Sequence, residues 1–485
     1  MAVAARRAAA WEPAVRDART AARVRAAAAD VLSRLRDPDT AEAAGRNGAR
    51  RERPRWTPYG TAQGTGGLAL AFGHLDRCLP GQGWDLVAHR HLARAVEGTA
   101  RDPVTGVGLF SGLAGVAFTT AYLADGRGRY RTLLGDLDDS LYARIPHRLP
   151  AVDGRGLAVG TFDVVSGWTG VAAHLLARPP GPDRDRALDS LLGWLVDLCR
   201  GCPDPDGMPA WHTPHALIAD EGMRARYPGA VANCGLAHGI AGPLALLSIA
   251  LSDARGPAVP GHTEAIRRAA SWLAARHVAD ARGGGYPSVA AYPAVAAYPS
   301  ALADPSARAD PSALADPALA EPSAADTPAA APREPAPAPT PARDAWCYGS
   351  PGVARALWLA GTALGDRALT AAATAALRAA LARPIAWRRI DSPGFCHGVA
   401  GLLQVTLRFA ADTGDEAIGA AAQRLVDQLL GEYRPRSPFG YRSVEPDGTR
   451  ADRVGLLEGT PGIALALLAA ATPEPPSWDR FLLLS

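Results

Sequence analysis

Three short stretches of the sequence combine a cysteine or a histidine with glycines and a following apolar run. Cys396 and His397 are adjacent in one stretch, Cys347 stands in a second, and His238 stands in a third. Thiolates and imidazoles are ligands that zinc prefers, and three protein ligands leave a fourth tetrahedral position open in catalytic zinc sites. If the fold brings the first two stretches together, Cys347, Cys396 and His397 are predicted to bind a catalytic zinc ion.

The other cysteines and histidines fit a metal site less well. Cys199 and Cys202 form a Cys-x-x-Cys pair at the end of an amphipathic pattern, with no second pair nearby. Cys234 stands four residues before a histidine, but an intervening glycine disfavours the helix that would pair them. His212 and His215 flank a proline, which favours a solvated loop. None of these residues is predicted to be a ligand.

Charged residues near the same glycines complete the candidate site. His238 has the same position relative to its glycine as His397, so it is either a fourth ligand or a general acid or base. Asp163 and Arg343 stand a few residues before two of the glycine pairs, and Glu458 directly precedes another. Each has a structural alternative: a solvated loop charge for Asp163 and Arg343, and a helix cap for Glu458.

The pattern Gly-x-x-Gly followed by an apolar run occurs seven times in the chain. Successive pairs lie 48, 55, 72, 110, 49 and 61 residues apart. One such pair carries no information, but seven at broadly similar intervals predict a repeat architecture. The pairs are Gly64/Gly67, Gly112/Gly115, Gly167/Gly170, Gly239/Gly242, Gly349/Gly352, Gly398/Gly401 and Gly459/Gly462.

The segments between the glycine pairs alternate between two kinds of helix. The apolar runs predict helices that are buried on all sides, whereas the amphipathic segments predict half-buried helices. The sequence therefore predicts an all-α fold, an α/α toroid (barrel) of seven inner and seven outer helices. Ring closure is inferred, since an open solenoid would give a similar pattern. The outer helices are predicted near 14–36, 83–100, 128–148, 188–199, 261–280, 366–382 and 418–429.

The repeated glycines have a predicted structural role. Glycine permits a positive φ angle and a close approach of backbone, and both are expected just before each inner helix. All seven loops would then open at one end of the barrel, beside helix N-termini that favour negative charge.

Two segments interrupt the repeats. The segment 288–341 is rich in Ala-Asp-Pro and Ala-Pro sequences and cannot bury enough apolar surface to fold. The segment 201–234 is rich in proline and glycine, which argues against further barrel helix. We predict one domain over 1–485 that carries a small irregular extension at 201–234 and a disordered Pro/Ala-rich insertion at 288–341.

Bulk composition excludes several classes of protein. The formal charge of +3 on 485 residues gives no reason to expect a nucleic-acid partner. No apolar run is long enough to span a membrane, and the Arg- and Ala-rich N-terminus does not resemble a signal peptide. We expect a soluble, cytoplasmic protein, not an integral membrane protein, whose six cysteines are free thiols or metal ligands rather than disulfides.

Several motifs together resemble the lanthionine synthetase C-like family, the lantibiotic (lanthipeptide) cyclases. They are Trp-Cys-Tyr-Gly at 346–349, Cys-His-Gly at 396–398, Ala-His-Gly-Ile-Ala-Gly at 237–242, Leu-Glu-Gly at 457–459 and the closing Trp-Asp-Arg-Phe-Leu-Leu-Leu at 478–484. The resemblance covers nearly the whole chain except the Pro/Ala-rich insertion. It implies an α/α toroid of fourteen helices with one bound zinc.

The resemblance also implies roles for individual residues. Cys347, Cys396 and His397 match the family's zinc ligands. The matches to its acid/base and substrate-positioning residues are His238, Asp163, Arg343 and Tyr348. The sequence departs from the family pattern in two places: the insertion ends directly before Arg343, and Cys234 has no counterpart.

The activity implied is the formation of lanthionine and methyllanthionine thioether rings. A zinc-activated peptide cysteine thiolate would add to a dehydroalanine or dehydrobutyrine of the same peptide. His238 is the candidate donor of a proton to the resulting enolate, and either His238 or Asp163 could take the thiol proton. Arg343 could stabilise the enolate oxygen. The implied partners are a dehydrated precursor peptide and the lanthipeptide dehydratase that acts on it first.

Rival functions have discriminating features. Protein prenyltransferases also combine an α/α toroid with zinc, but their ligand set includes a carboxylate that the two metal stretches here do not supply. Toroidal glycosidases need paired carboxylates, and two cysteines would be superfluous in them. Members of the family that add glutathione to dehydrated residues, and a non-catalytic peptide-binding scaffold, remain alternatives that zinc content and a ring-closing assay would separate.

Overall fold

A computed structural model describes the chain in ten ranges. They are 11–48, 56–102, 106–126, 128–201, 207–253, 256, 259–280, 283–293, 338–445 and 448–485.

Seven buried helices start at the seven glycine pairs, as the sequence predicts. Each begins one or two residues after the first glycine of its pair. All twelve residues of the last of these helices are buried, which is the burial expected for a helix without a polar face. The inner helices are α3 (Thr65–Cys78), α5 (Leu113–Ala124), α8 (Trp168–Ala177), α11 (Ala241–Ser252), α13 (Ser350–Leu364), α15 (Val399–Thr413) and α17 (Thr460–Ala471).

Seven amphipathic helices pack around the inner ones. In the last of them the buried residues are spaced three or four apart, from Ile418 to Leu429, so that one face packs inward. Each outer helix packs on the inner helix that precedes it, and the first outer helix packs on the last inner helix. The outer helices are α1 (Ala18–Ser33), α4 (Trp84–Arg101), α6 (Arg131–Tyr142), α9 (Pro182–Arg200), α12 (His262–Ala274), α14 (Arg367–Ala382) and α16 (Glu416–Glu432).

Shorter elements complete the described chain. They are α2 (Pro38–Gly48), α7 (Val159–Phe162), α10 (Glu221–Arg226), the strands β1 (Val231–Asn233), β2 (Val289–Ala291), β3 (Ser443–Val444) and β4 (Arg450–Ala451), and 3-10 helices at His215–Leu217, Ile385–Trp387 and Ser477–Leu482. β1 pairs antiparallel with β2, and β3 pairs antiparallel with β4. No helix of the described residues is long and apolar enough to cross a membrane.

Backbone hydrogen bonds join the loops before the inner helices, numbered one to seven in chain order, into a closed ring. The donor in each loop is the backbone N–H of the second or third residue before the first glycine. The acceptor is the carbonyl of the second residue before the first glycine of the next loop. The seventh loop donates back to the first, so the barrel is closed and an open solenoid is excluded. The bonds run from Ala62 to Phe110 (3.0 Å), Phe110 to Val165 (3.2 Å), Val164 to Ala237 (3.1 Å), Leu236 to Cys347 (2.9 Å), Cys347 to Cys396 (3.2 Å), Cys396 to Leu457 (2.8 Å) and Leu457 to Ala62 (3.3 Å).

The second glycine of every pair makes this ring possible. A Cβ atom on any of the seven would lie 2.0–2.9 Å from the carbonyl oxygen six residues earlier in its own loop. The same Cβ would also crowd the corresponding side chain of the preceding loop; at Gly67 it would lie 2.9 Å from Leu456 Cβ. A positive φ angle was also expected at these glycines, but of the fourteen only Gly349 adopts one, with φ of 93°. That expectation is wrong for the other thirteen. Close approach, rather than φ, explains the repeat.

The C-terminal segment fills the inside of the barrel beneath the loops. Trp478 and Phe481 are fully buried. Trp478 packs edge-on against Phe395 with ring centroids 5.8 Å apart, and Trp346 Nε1 donates to the Leu482 carbonyl at 3.1 Å. Because Trp346 and Phe395 directly precede the two cysteines of the predicted zinc site, the C-terminal segment supports that site from below.

The two irregular segments of the prediction are described only in part. Of the predicted insertion 288–341, residues 294–337 lie outside the described ranges. At its start the structure differs from the prediction, because Val289–Ala291 is paired with Val231–Asn233 as β2. Val289 packs with Ile218 and Val231 in a small apolar cluster, which the proline-rich sequence that follows does not reveal. The extension at 201–234 contains only short elements among its described residues.

We predict that Gly67→Ala destabilises the protein, because the added Cβ would lie 2.1 Å from the Thr61 carbonyl oxygen, which is backbone. Overpacking of this kind costs about 1–3 kcal/mol. Gly193→Ala is the matched control: it lies within α9 with no neighbouring atom within 4 Å of its Cβ position, so it should be neutral or stabilising by up to about 1 kcal/mol. Thermal melting of both variants measures the difference, and equal melting temperatures would contradict the close-approach explanation.

Candidate active site

A ring of seven polar side chains lines the open end of the barrel. Each directly precedes the first glycine of its pair, and each is partly exposed while the glycine that follows is buried. We call this set the mouth ring: Gln63, Ser111, Ser166, His238, Tyr348, His397 and Glu458. Neighbours in chain order are neighbours in space, as the ring centroids of His238 and Tyr348 lie 6.3 Å apart and Gln63 Nε2 donates to Glu458 at 3.4 Å.

The structure brings the three predicted zinc ligands together. One ligand atom each from Cys347, Cys396 and His397 lies within 4.8 Å of the other two. The Cys347 N–H donates to the Cys396 carbonyl at 3.2 Å and the Cys396 N–H to the Leu457 carbonyl at 2.8 Å, so the ring of loop hydrogen bonds sets the two thiols side by side. These three residues, called the metal group below because they could hold a metal ion, are the only such group found among the described residues.

The donor atoms of these three groups suit a zinc ion. A hydrogen bond between the two thiols lowers the pKa of Cys347 and raises the pKa of Cys396. Burial and the nearby positive charge of Arg343 lower the pKa of His397, which keeps its imidazole neutral with a lone pair to donate. Two closely spaced sulfur donors and one neutral imidazole form a soft donor set that fits zinc, with one tetrahedral position left for another ligand.

His238 and Asp163 form an ion pair on the fourth and third loops. His238 Nδ1 donates to Asp163 Oδ2 at 2.6 Å, and the other carboxylate oxygen accepts the backbone N–H groups of Ser166 and Gly167, both at 2.8 Å. Asp163 is only 2% exposed, so its alternative as a solvated loop charge is wrong. Burial lowers the pKa of His238, but the hydrogen bond and charge of Asp163 outweigh it and raise the pKa, which favours the imidazolium.

Tyr348 directly follows Cys347 in the chain, and its ring lies beside that of His238. Its hydroxyl accepts a hydrogen bond from Asn233 Nδ2 at 3.1 Å. Its ring lies against Gly235, where a Cβ atom would come within 2.6 Å of a ring carbon. Asn233 is 3% exposed and was not singled out from the sequence. In the sequence, the only signal for Asn233 is an amide side chain five residues before His238.

Arg343 is exposed beside the metal group, and among the described residues its guanidinium has no hydrogen-bonded partner. Its charge acts on Cys347, Cys396 and His397 alike. The next residue, Asp344, is fully buried and accepts two hydrogen bonds from Arg383, at 2.7 and 2.8 Å. This buried ion pair anchors the loop, so the Arg343 side chain is held near Cys347, Cys396 and His397.

Cys199, Cys234, His212 and His215, which were not predicted to be ligands, lie outside the group of three among the described residues, but one structural expectation fails. Cys199 is fully buried on α9, where burial raises its thiol pKa to about 12, and Cys202 lies outside the described residues. Cys234 is also fully buried. His215 is exposed as expected, but His212 is fully buried, so a solvated loop is wrong for it. Its carbonyl accepts the Leu157 N–H at 2.9 Å, which ties the extension to the barrel.

Comparison with known proteins finds one matching family and two similar proteins. The family model for lanthionine synthetase C-like proteins matches residues 55–292 and 331–483. The chain is 22% identical over 337 residues to the nisin biosynthesis protein NisC of Lactococcus lactis subsp. lactis, covering 69% of this chain and 70% of that protein. The solved structure of nisin cyclase superposes with a TM-score of 0.65 and 19% identity, covering 92% of this chain and 97% of the other.

We predict that Cys396→Ala abolishes zinc binding, because it removes one of three ligands whose partners cannot hold the ion alone. Cys234→Ala is the control, since that buried thiol lies outside the ligand group. Metal analysis after chelation and reloading should give about one zinc per chain for the parent and for Cys234→Ala, and none for Cys396→Ala. Zinc retained by folded Cys396→Ala would refute the ligand assignment.

We predict that Asp163→Asn lowers the pKa of His238, because it removes the charge that stabilises the imidazolium. Histidine resonances followed by NMR over pH 5–9 would report the pKa directly. Asp391→Asn, which removes an exposed carboxylate near His397, should leave the His238 pKa unchanged. An unchanged value in Asp163→Asn would mean that the ion pair does not form in solution.

Proposed function

The chain belongs to the lanthionine synthetase C-like family, and we propose that it is a zinc-dependent lanthipeptide cyclase. The proposed reaction adds peptide cysteine thiolates to dehydroalanine or dehydrobutyrine residues and forms lanthionine or methyllanthionine rings. The observation that carries this proposal is the position of the Cys347, Cys396 and His397 group beside the His238–Asp163 pair at one open mouth. A thiol must be activated and a carbon protonated within one site, and this arrangement supplies a group for each task.

Zinc would be held by Cys347, Cys396 and His397, and it would supply the Lewis acidity that favours the thiolate of a substrate cysteine at neutral pH. A free thiol has a pKa of about 8.5 and is mostly protonated there. The low exposure of Cys347, at 5%, keeps its sulfur away from competing water, whereas Cys396 is partly exposed. The mouth above them is open, so a peptide can reach the site.

The remaining proposed roles belong to residues of the chain itself. The thiolate adds to the β-carbon of the dehydro residue, and the electrons of the carbon–carbon double bond move to the adjacent carbonyl as an enolate. His238, held as an imidazolium by Asp163, donates a proton to the α-carbon. Asp163 is a positioning residue, since both of its oxygens are already engaged. Arg343 is proposed to stabilise the enolate oxygen through its free guanidinium.

Tyr348 is proposed to orient the reacting groups. Its hydroxyl accepts a hydrogen bond from Asn233 at 3.1 Å, and its ring, which directly follows Cys347 in the chain, has its centroid 6.3 Å from that of His238. A rigid aromatic wall there limits the positions that a substrate side chain can take. This restriction supports the approach of the thiolate to one face of the dehydro residue.

The proposed substrate is a dehydrated precursor peptide, and the proposed partner is the dehydratase that prepares it. The chemistry requires that supply, because serine and threonine side chains do not accept a thiolate until water has been eliminated. A cytoplasmic location is proposed for the same reason, since the cysteine thiols of both protein and peptide must remain reduced.

We predict that His238→Ala keeps zinc but closes rings about 10²–10⁴-fold more slowly, which is the usual contribution of a positioned acid. His215→Ala, an exposed histidine on the extension, is the matched control and should retain parental activity. Mass spectrometry of a dehydrated peptide after alkylation of its remaining thiols counts the rings formed.

Three outcomes would contradict the proposal. Loss of zinc in His238→Ala would make that residue a ligand. Glutathione adducts in place of rings, with glutathione present, would indicate a glutathione-adding enzyme. Zinc-loaded parent protein that binds the peptide but closes no ring would indicate a scaffold.

A further inference from the structure

Glu458 occupies a position in the mouth ring for which the proposed function has no role. In ring order His238 and Tyr348 come before His397, and Glu458 comes directly after it. The metal ligands lie on the fifth and sixth loops, so His238 on the fourth loop and Glu458 on the seventh loop lie on opposite sides of them. The Cys396 N–H donates to the carbonyl of Leu457, which sets the Glu458 loop against the second cysteine.

The backbone of Glu458 is fixed, but its carboxylate is not saturated. Ser443 Oγ donates to the Glu458 carbonyl at 2.5 Å, whereas the carboxylate accepts only one long hydrogen bond, from Gln63 Nε2 at 3.4 Å. Arg453, whose charge acts on Glu458, forms an ion pair with Glu445, with the Nε bond at 2.9 Å. Among the described residues, Glu458 therefore offers an acceptor that is held in place and still available.

The structural explanation for this residue, a helix cap, does not hold. The N-cap of α17 is Gly459, and no side chain makes the capping hydrogen bond there. The side chain is instead partly buried at the mouth, where Gln63 is its hydrogen-bond partner. Burial raises its pKa to about 7, an effect that Arg453 offsets only in part and that Glu445 increases. A carboxylate that accepts a single long hydrogen bond keeps lone pairs available for a proton.

In the proposed function His238 starts as the proton donor, so the proton of the substrate thiol needs a second acceptor. His238 Nδ1 is bound to the buried carboxylate of Asp163 at 2.6 Å, which favours the imidazolium form. An imidazolium has no lone pair to accept the proton of an incoming thiol. Asp163 is also unsuited to accept it, because it is 2% exposed and its oxygens are occupied.

Resting on the proposed function, we propose that Glu458 is the catalytic base that accepts the proton of the substrate thiol. The substrate S–H bond breaks, its proton goes to a Glu458 oxygen, and the sulfur keeps the electron pair that then forms the bond to the β-carbon. The α-carbon takes a proton from His238. One proton has then been gained by Glu458 and one lost by His238, so a single return through solvent resets the site without any oxidant or reductant.

The first test is a proton count. Zinc-loaded protein is titrated calorimetrically with N-acetylcysteine methylamide, a thiol without a dehydro residue, in buffers of different ionisation enthalpy at pH 7.5. In the parent protein Glu458 should retain much of the thiol proton, so that well under one proton reaches the buffer per thiol bound. Glu458→Gln should release about one. Asp391→Asn removes an exposed carboxylate that also acts on His397 but lies outside the mouth ring, and it should behave as the parent.

The second test is turnover. Glu458→Gln should bind zinc fully and close rings about 10²-fold more slowly, while Glu458→Asp, which keeps a carboxylate, should recover part of the rate. Equal proton counts and equal turnover in parent and Glu458→Gln would overturn the role of Glu458. If Glu458→Gln loses zinc, zinc-loaded Glu458→Ala is assayed with and without added formate. Restored turnover would support Glu458 as the base, and no restoration would overturn it. Parent protein that closes no ring refutes the proposed function instead.

Discussion

The structure depends on the distance at which neighbouring loops pass one another at the mouth of the barrel. The second glycine of each pair lies where a Cβ atom would overlap its own loop's backbone and crowd the preceding loop. With hydrogen in that place, the loops come close enough for each to donate a backbone hydrogen bond to the next, and seven such bonds close the ring. The buried polar backbone of the loops is thereby satisfied without water.

Because of this ring, loops that follow one another in the sequence are neighbours in space. Cys347 and Cys396 are far apart in sequence, but they occupy equivalent positions on adjacent loops, and one backbone hydrogen bond of 3.2 Å sets their thiols together. The same rule divides the mouth ring into two arcs. Gln63, Ser111 and Ser166 form an uncharged arc, while His238, Tyr348, His397 and Glu458 form a reactive arc around the metal group.

Buried ion pairs hold the reactive arc in place. Asp163 is saturated by two backbone donors and His238, and Asp344 is saturated by Arg383, so neither carboxylate is left uncompensated in the interior. Each pair positions a neighbouring functional group, His238 in the first case and Arg343 in the second. Glu458 differs from both, because the arginine beside it pairs with Glu445 instead. A carboxylate left without a strong partner beside a metal group is a costly arrangement for a structural residue and a useful one for a base.

The sequence by itself determined the repeat, the alternation of inner and outer helices, and the three residues that could hold a metal ion. These features are local: hydrophobic periodicity follows from which helix faces are buried, and the glycine pairs recur because every loop meets the same steric limit. Positions counted from the glycines also predicted that His238, His397 and Glu458 face one mouth.

Tertiary structure alone decided what those residues contact. The ion pair of His238 with Asp163, the support of Tyr348 by Asn233 and the packing of Trp478 beneath the cysteines all join residues distant in the chain, for which no local pattern exists. His212 shows the same limit, since its proline-flanked sequence predicts exposure and only packing against the barrel buries it.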